Sequence, residues 1–513
     1  MAFGRRRRAG TLFVRPSRGD LVAGVSVALV LVPQSLAYAE LAGLPAVHGL
    51  YAAAAAPIAA SVVGSSPYLQ TGPVALTSLL TIGALAPLAG TGTAEFAALA
   101  ALLALLVGVA RTALGLLRWG ALSYLMSVPV VTGFTVAAAL LIISSQLPAL
   151  VGAGSGRGGN PLTRAADVVT APGTWSLAAL GIGLATILVL LVGRRISTVF
   201  PWVLAVTVAA LLVSTFEVLQ APVVGRLPSG LPPLSLALPW SAVPDLAVPA
   251  LVIAVVGFAE PASIARRYAA ADRHRWDPDR EFVGQGLANL GAAVAGGYPA
   301  GGSFSRSALN RASGAKTRWS GAFTGLAVLA FLPFANVLSD LPTAVLAAVV
   351  IVAVISLIDL GTFLEYWRQS RPQFLVAAPT LVATLLFAPR VERGLLLGVG
   401  LALAVHLWRE ARLDVDTWRT DGRLYVLPHG VLYFGSAPTL DNEIRRLLAA
   451  NPDAESIEID LHRLGRVDLT GVYALRDAVA HARAAGIRIT FTRIPAHAAD
   501  RIRAVLGPAA DDG

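Results

Sequence analysis

The chain alternates long apolar runs with short polar punctuation. Fourteen runs can be placed, at about 19–44, 46–64, 72–90, 94–117, 121–147, 174–193, 197–219, 244–268, 280–298, 303–315, 318–338, 342–358, 373–388 and 391–408. Most are close to the about 20 residues that a helix needs to cross a bilayer core. The pattern predicts a membrane-embedded all-α region. Two runs are interrupted: "LQTGPVALTSLL" opens at Gly72–Pro73, and "PAGGSFSRSALN" opens at Gly301–Gly302. Both predict helices that begin in mid-membrane. After Trp408 charged residues become frequent and the pattern is that of a soluble α/β unit. "RLYVLPHGVLYF", "SIEIDLH" and "IRITFTRI" read as strands, "APTLDNEIRRLLAANP" and "LTGVYALRDAVAHARAAG" as helices.

The two interruptions are in phase. The first run carries Pro33 and Gln34 at its middle, and the eighth carries Glu260 and Pro261 at a similar depth. About 39 residues after Pro33 comes the first break, and about 40 after Pro261 comes the second. The repeats therefore cover about 19–220 and 244–408. Seven crossings per half is an odd number, so the halves insert in opposite orientations. Inverted repeats with matching broken segments point to a secondary transporter whose site lies where the breaks meet.

Charge sets the expected topology. An even count of crossings places both termini on one side. The loops at Arg111–Arg118, Arg194–Arg195, Arg266–Arg280, Arg311–Arg318 and Arg368–Arg371 then share that side, and their basic character makes it the cytoplasm. Arg390 and Arg393 go against the rule. The basic start "MAFGRRRRAG" precedes a run too long for a signal-peptide core, so a retained first helix is expected in the cell membrane. The formal charge of +10 sits mostly in these loops, which argues for topology and against nucleic-acid binding. With no cysteine, disulfides and thiolate metal sites are excluded. Neither His nor carboxylate clusters have metal spacing. There is no nucleophile–base constellation and no phosphate-binding loop, so neither an enzyme nor a cofactor is expected.

The breaks carry the candidate chemistry. A helix that starts in mid-membrane leaves its first amides unpaired, and those amides form an anion site. Thr77 and Ser78 follow the first break; Ser303, Ser305 and Ser307 surround the second. Arg306 sits inside the second break, where an arginine costs about 2.5–3.5 kcal/mol on insertion scales unless something compensates it. An anion would do so; a permanent pair with Glu260, or snorkelling to the surface, would also do. Glu260 is suited to proton coupling, to Na⁺ binding or to a static counter-charge. Gln34 and Tyr38 share a face of the first run. Gln34 offers a donor and an acceptor, or fills the gap beside the Pro33 kink. Glu40 and His48 read as interfacial and Asn289 as an interhelical bond.

The segments "VPQSLAYAELAGLPAVHGLY", "TGPVALTSLL", "FAEPASIARRYA" and "GSFSRSALN" closely resemble the SulP family of sulfate-permease-type anion transporters, the relatives of pendrin and prestin. Residues 412–513 resemble a STAS domain, the soluble module of those proteins. The resemblance implies a short basic N-terminus at 1–18, a transport domain at 19–411 and a STAS domain at 412–513. It implies seven-plus-seven inverted repeats divided into core and gate, alternating access, and a homodimer. Carried over by position, the anion site comprises Gln34, Tyr38, Val74, Ala75, Thr77, Ser78, Phe304, Ser305 and Arg306, with Glu260 as the coupling position. Leu36 and Ala46 depart from common family residues away from that site. In "LGRVDLTGVYAL", Leu469 follows Asp468 where bacterial anti-sigma-factor antagonists carry a phosphorylatable Ser, so the tail reads as a scaffold or regulator. The combined expectation is a proton-coupled transporter of a small anion: sulfate, bicarbonate or a dicarboxylate. Na⁺-coupled bicarbonate uptake, anion exchange, a passive channel and a STAS-centred signalling protein are the alternatives.

Overall fold

A computed structural model of the chain describes residues 15–121, 127–153, 160–197, 200–215, 221–420, 422–484 and 486–506. The basic stretch at the start and the Gly-rich segment 154–159 lie outside the described residues. The chain divides into two compact units, Met1–Val399 and Gly400–Gly513.

The first unit is helical. It contains α1 (Arg18–Leu41), α2 (Val47–Val63), α3 (Ala75–Leu85), α4 (Ala94–Leu116), α5 (Val128–Leu150), α6 (Pro161–Thr170), α7 (Leu177–Ile196) and α8 (Trp202–Thr215). It continues with α9 (Val243–Ala271), α10 (Pro278–Val294), α11 (Phe304–Ala312), α12 (Trp319–Phe331), α13 (Thr343–Val354), α14 (Leu360–Gln369), α15 (Arg371–Leu386) and α16 (Val391–Glu410), the last running into the second unit. Among the described residues, eight helical segments are long and apolar enough to cross a membrane. Leu184, Leu188 and Val192 of α7 are exposed, as expected of a helix bounded by lipid.

Every apolar run has a helix, but two runs are not full crossings. α3 has 11 residues and α11 has 9, so each spans roughly half a bilayer core. Both are preceded by a two-residue strand, β1 (Thr71–Gly72) and β2 (Gly301–Gly302). Two helices escaped the pattern. The loop after α5 holds α6, and α14 sits before α15; both are short and amphipathic.

Packing sorts the helices into two groups. α10 packs on α4 and α2, α12 packs on α2 and α1, and α9 packs on α4. Separately, α5 packs on α15 and α13, α13 on α7, and α7 on α8. α1 borders both groups through α13 and α8. Its start is pinned by a capping box between Ser17 and Asp20. The buried Asp20 carboxylate also accepts hydrogen bonds from the Lys316 and Thr317 amides, at 2.7 and 2.8 Å.

One expectation about topology fails. Arg111 is not in a cytoplasmic loop. It lies within α4, has 0% exposure and is enclosed by α9 and the second break. The basic residues of that loop begin at Arg118, whose backbone has φ 59.

The second unit is an α/β sandwich. Strands β3 (Asp414–Thr420), β4 (Arg423–Leu432), β5 (Ser456–Asp460) and β7 (Arg488–Thr492) form one sheet in the order β3-β4-β5-β7, and β6 (Leu464–Val467) also pairs with β4. The β3–β4 hairpin is antiparallel; the other pairings are parallel. Helices α17 (Ala437–Ala450), α18 (Leu469–Ala484) and α19 (Ala496–Leu506) complete it. Its core gathers Val426, Ile457, Ile459, Leu475 and Ile502, all at 0% exposure. β3, β6 and α19 are elements the sequence pattern did not separate.

Candidate anion site

The two breaks meet. β1 and β2 pair antiparallel, with Thr71 opposite Gly302 and Gly72 opposite Gly301. The Ser303 amide donates to the Gln70 carbonyl at 3.1 Å, and the Gln70 amide donates to Ser307 Oγ at 2.9 Å. The unwound backbone of each break is thus satisfied by the other, which lets non-helical chain persist at membrane depth. The pairing demands glycine. A Cβ on Gly302 would meet Leu69 Cδ1 at 2.8 Å and the Pro261 backbone at 3.2 Å.

Arg306 belongs to the first turn of α11 and is 1% exposed. It neither pairs with Glu260 nor snorkels. Its Nη1 donates to Gln34 Oε1 at 3.2 Å and its Nη2 to the Pro73 carbonyl at 2.8 Å. Its Nε is buried without a hydrogen-bond partner. The guanidinium therefore bridges α1 and the head of α3 through neutral acceptors, and the Glu260 carboxylate acts on its charge from a distance, without a contact ion pair. Pro73 precedes the N-cap Val74, so its carbonyl stands outside the hydrogen-bond ladder of α3 and is available to Arg306.

The two helix heads differ. At α3 the N-cap is Val74, which has no side chain able to cap. Among the hydrogen bonds of the described residues, none uses the amides of Ala75, Leu76 or Thr77. At α11 the N-cap is Ser303, whose Oγ accepts from the Arg306 amide at 3.5 Å, and the carboxylate of Glu260 on α9 faces the Phe304 amide. The head of α3 is open, whereas the head of α11 is closed by the protein's own groups.

The hydroxyls are also partly engaged. Thr77 Oγ1 donates to the Val74 carbonyl at 3.2 Å. Ser78 Oγ lies 2.9 Å from the same carbonyl and 3.2 Å from the hydroxyl of Tyr298. Ser305 is exposed, 3.3 Å from Ser303 Oγ. Gln34 is 3% exposed and Tyr38 6%; Tyr38 lies within electrostatic range of both Arg306 and Glu260. Val74 and Ala75 are buried at the head of α3, and Phe304 is 39% exposed.

A cavity of ≈ 90 Å³ borders this cluster. Gln34, Ser305 and Arg306 line one side of it; Arg194, Ser197 and Trp202, from the end of α7 to the start of α8, line the other. Of the expected residues, then, Gln34, Ser305 and Arg306 share a cavity. Tyr38, Val74, Ala75, Thr77, Ser78 and Phe304 do not line it. Glu40 lines a separate, larger cavity with Gln146 and Arg164. Asn289 makes no bond between helices among the described residues; one of its bonds goes to the Gln285 carbonyl of its own helix. Its Oδ1 accepts from the Ala300 amide at 2.9 Å and its Nδ2 donates to the Ala300 carbonyl at 3.2 Å, holding the peptide that leads into β2. Tyr298, fully buried against Ser78, was not anticipated; an apolar-looking "GGYPAGG" gives no sign that its hydroxyl has a partner across the fold.

Comparison with known proteins sharpens this picture. A model described as the sulfate permease family matches residues 18–380, and one for the STAS domain matches 415–505. The chain is 31% identical over 518 residues to a probable sulfate transporter of Mycobacterium tuberculosis, covering 95% of this chain and 91% of that one. It is 30% identical over 536 residues to the sodium-independent sulfate anion transporter of Bos taurus, covering 93% and 84%. Among solved structures, the murine Slc26a9 anion transporter in the inward-facing state aligns with a TM-score of 0.86 at 21% identity, over 100% of this chain and 94% of that one. The transmembrane domain of the cyanobacterial bicarbonate transporter BicA aligns with a TM-score of 0.63 at 23% identity, over 75% and 97%. These last two likenesses establish the fold.

Proposed function

The chain is a multi-pass membrane protein of the sulfate permease family with a C-terminal STAS domain, and from that premise we propose that it is a secondary active transporter of a small anion held at Arg306. One observation carries the reading. An arginine at 1% exposure hydrogen-bonds only neutral acceptors and makes no contact ion pair with Glu260, beside a helix head whose first three amides are unpaired. A buried cation in that setting is stabilised by an anion. The anion would enter the cavity beside Ser305, take hydrogen bonds from Arg306 and from the amides of Ala75, Leu76 and Thr77, and lie between Gln34 and Tyr38. Its desolvation is offset by preformed dipoles rather than by a rearranging shell.

The cavity lies between the two packing groups, because α1 and α11 supply one wall and α7 and α8 the other. Sliding one group against the other would move the Arg306 cluster past α7 and α8, the geometry that alternating access requires. With the basic loops at Arg194–Arg195 and after Arg266 placed in the cytoplasm, both termini are cytoplasmic and this cavity opens inward. The STAS domain, residues 412–513, acts as a scaffold or regulatory module, and the working form is a homodimer in the cell membrane.

Coupling is assigned to Glu260. Its carboxylate faces the Phe304 amide, two residues from Arg306. Gaining a proton would remove the negative charge that opposes an incoming anion, so proton and anion would load together. This favours proton symport over Na⁺ coupling, exchange or passive flux. The test is uptake of labelled sulfate, bicarbonate, chloride, succinate and fumarate into proteoliposomes under an inward proton gradient, an inward Na⁺ gradient, or neither. Accumulation of one anion under the proton gradient alone supports the assignment. Equal flux under all three conditions overturns symport.

A further inference from the structure

We infer that Arg111 is a second positive determinant of the anion site, a positioning residue that holds the second break while lending its charge to the head of α3. With Arg306 it is one of the two largest fully buried side chains among the described residues, and it sits in the interior of a membrane helix. Its guanidinium donates from Nε to the Ala254 carbonyl at 3.1 Å, from Nη2 to the Ile253 carbonyl at 3.0 Å and from Nη1 to the Ala300 carbonyl at 3.0 Å. Among the described residues, no carboxylate is within ion-pair distance of it. All three acceptors are neutral backbone, so the hydrogen bonds are satisfied and the charge is not.

Position gives that charge a purpose. A Cβ built on Gly257 would meet Arg111 Nη2 at 2.6 Å and Thr77 Cγ2 at 3.4 Å. The guanidinium and Thr77, in the first turn of α3, thus both lie within 4 Å of one point. Only a glycine at 257 leaves room for the guanidinium to reach there. Arg111 shares the Ala300 carbonyl with Asn289, so the residue that supplies the charge also fixes the peptide entering β2. A charge surrounded by low-dielectric protein is weakly screened and acts over a longer range than a surface charge. Two buried arginines, one against the Pro73 carbonyl and one close to Thr77, raise the positive potential that an anion meets at the head of α3.

This inference rests on the anion-site reading, and its test does not need transport. The chain has no cysteine, so Ser305→Cys places a single thiol on the cavity wall. The rates at which an anionic and a cationic methanethiosulfonate of similar size modify that thiol give a ratio that reports local potential, which a purely structural role would not move. In Ser305→Cys/Arg111→Gln, which keeps amide donors for the carbonyls, the anionic-to-cationic ratio should fall at least about fivefold. In Ser305→Cys/Arg111→Lys it should stay within about twofold of the parent. An unchanged ratio in the folded Gln variant overturns the inference. Should the Gln variant not fold, the Lys variant decides: a retained ratio supports the inference and a fivefold fall overturns it. A parent that carries no labelled sulfate or other anion of the panel, yet shows the ratio change, would sink the transport reading and leave this one standing.

Discussion

Replacing Arg306 by alanine removes one buried charge and two hydrogen bonds, to Gln34 Oε1 and to the Pro73 carbonyl. The effect on anion binding follows from electrostatics. A unit anion about 4 Å from the guanidinium gains about 4 kcal/mol at an effective dielectric constant of about 20. Water entering the vacated space recovers part of this, leaving roughly 2–3 kcal/mol, the range measured for hydrogen bonds to charged groups. Affinity should therefore fall roughly 30- to 150-fold. Stability need not follow, because the variant also relieves the burial of a charge without an ionic partner. Lysine should fall between, with a loss of about tenfold: it keeps the charge, but a compact ammonium cannot span both Gln34 and Pro73. The assay is equilibrium binding of labelled sulfate, or of whichever panel anion the wild type accumulates, to purified protein with its melting temperature recorded in parallel. A folded Arg306→Ala protein whose dissociation constant changes less than about threefold would refute the placement of the anion at this residue.

Three further outcomes are expected. Glu260→Gln can still accept from the Phe304 amide, so anion binding should persist within about threefold while proton-driven accumulation disappears; pH-driven uptake in that variant would remove Glu260 from the coupling role. Gly302→Val drives side-chain atoms into Leu69 and the Pro261 backbone, and overpacking of this kind costs about 1–3 kcal/mol or more; a normal melting temperature with full uptake would show that the β1–β2 pairing is dispensable. A chain ending at Glu410 should retain anion-selective flux in proteoliposomes at a reduced level, whereas complete loss in a protein that still folds would place the activity under control of the second unit.

Much of this organisation is legible in the sequence because its causes are local. Gly72–Pro73 and Gly301–Gly302 break helices through backbone properties that act within a few residues. Arg306 stands out because a charge amid an apolar run is costly wherever the helix packs. Arg111 shows the limit. It lies seven residues before Arg118, near the end of an apolar run, and reads as the start of a basic loop. Only the packing of α4 against α9 turns it inward. α6 and α14 were missed because amphipathic helices of 10 residues lack the length that marks a crossing.

The sequence by itself determined where the membrane helices lie, where two of them break, and that a positive charge sits in one break. Run length, glycine and proline chemistry, and the cost of charge in hydrocarbon all act on neighbouring residues. Tertiary structure alone decided that the breaks pair with each other, that Glu260 closes one helix head while the other stays open, and that Arg306 rests on Gln34 and Pro73 instead of a carboxylate. Those contacts join residues from 44 to 272 positions apart. A hydrogen bond over that separation depends on how whole helices pack, and no local preference encodes it.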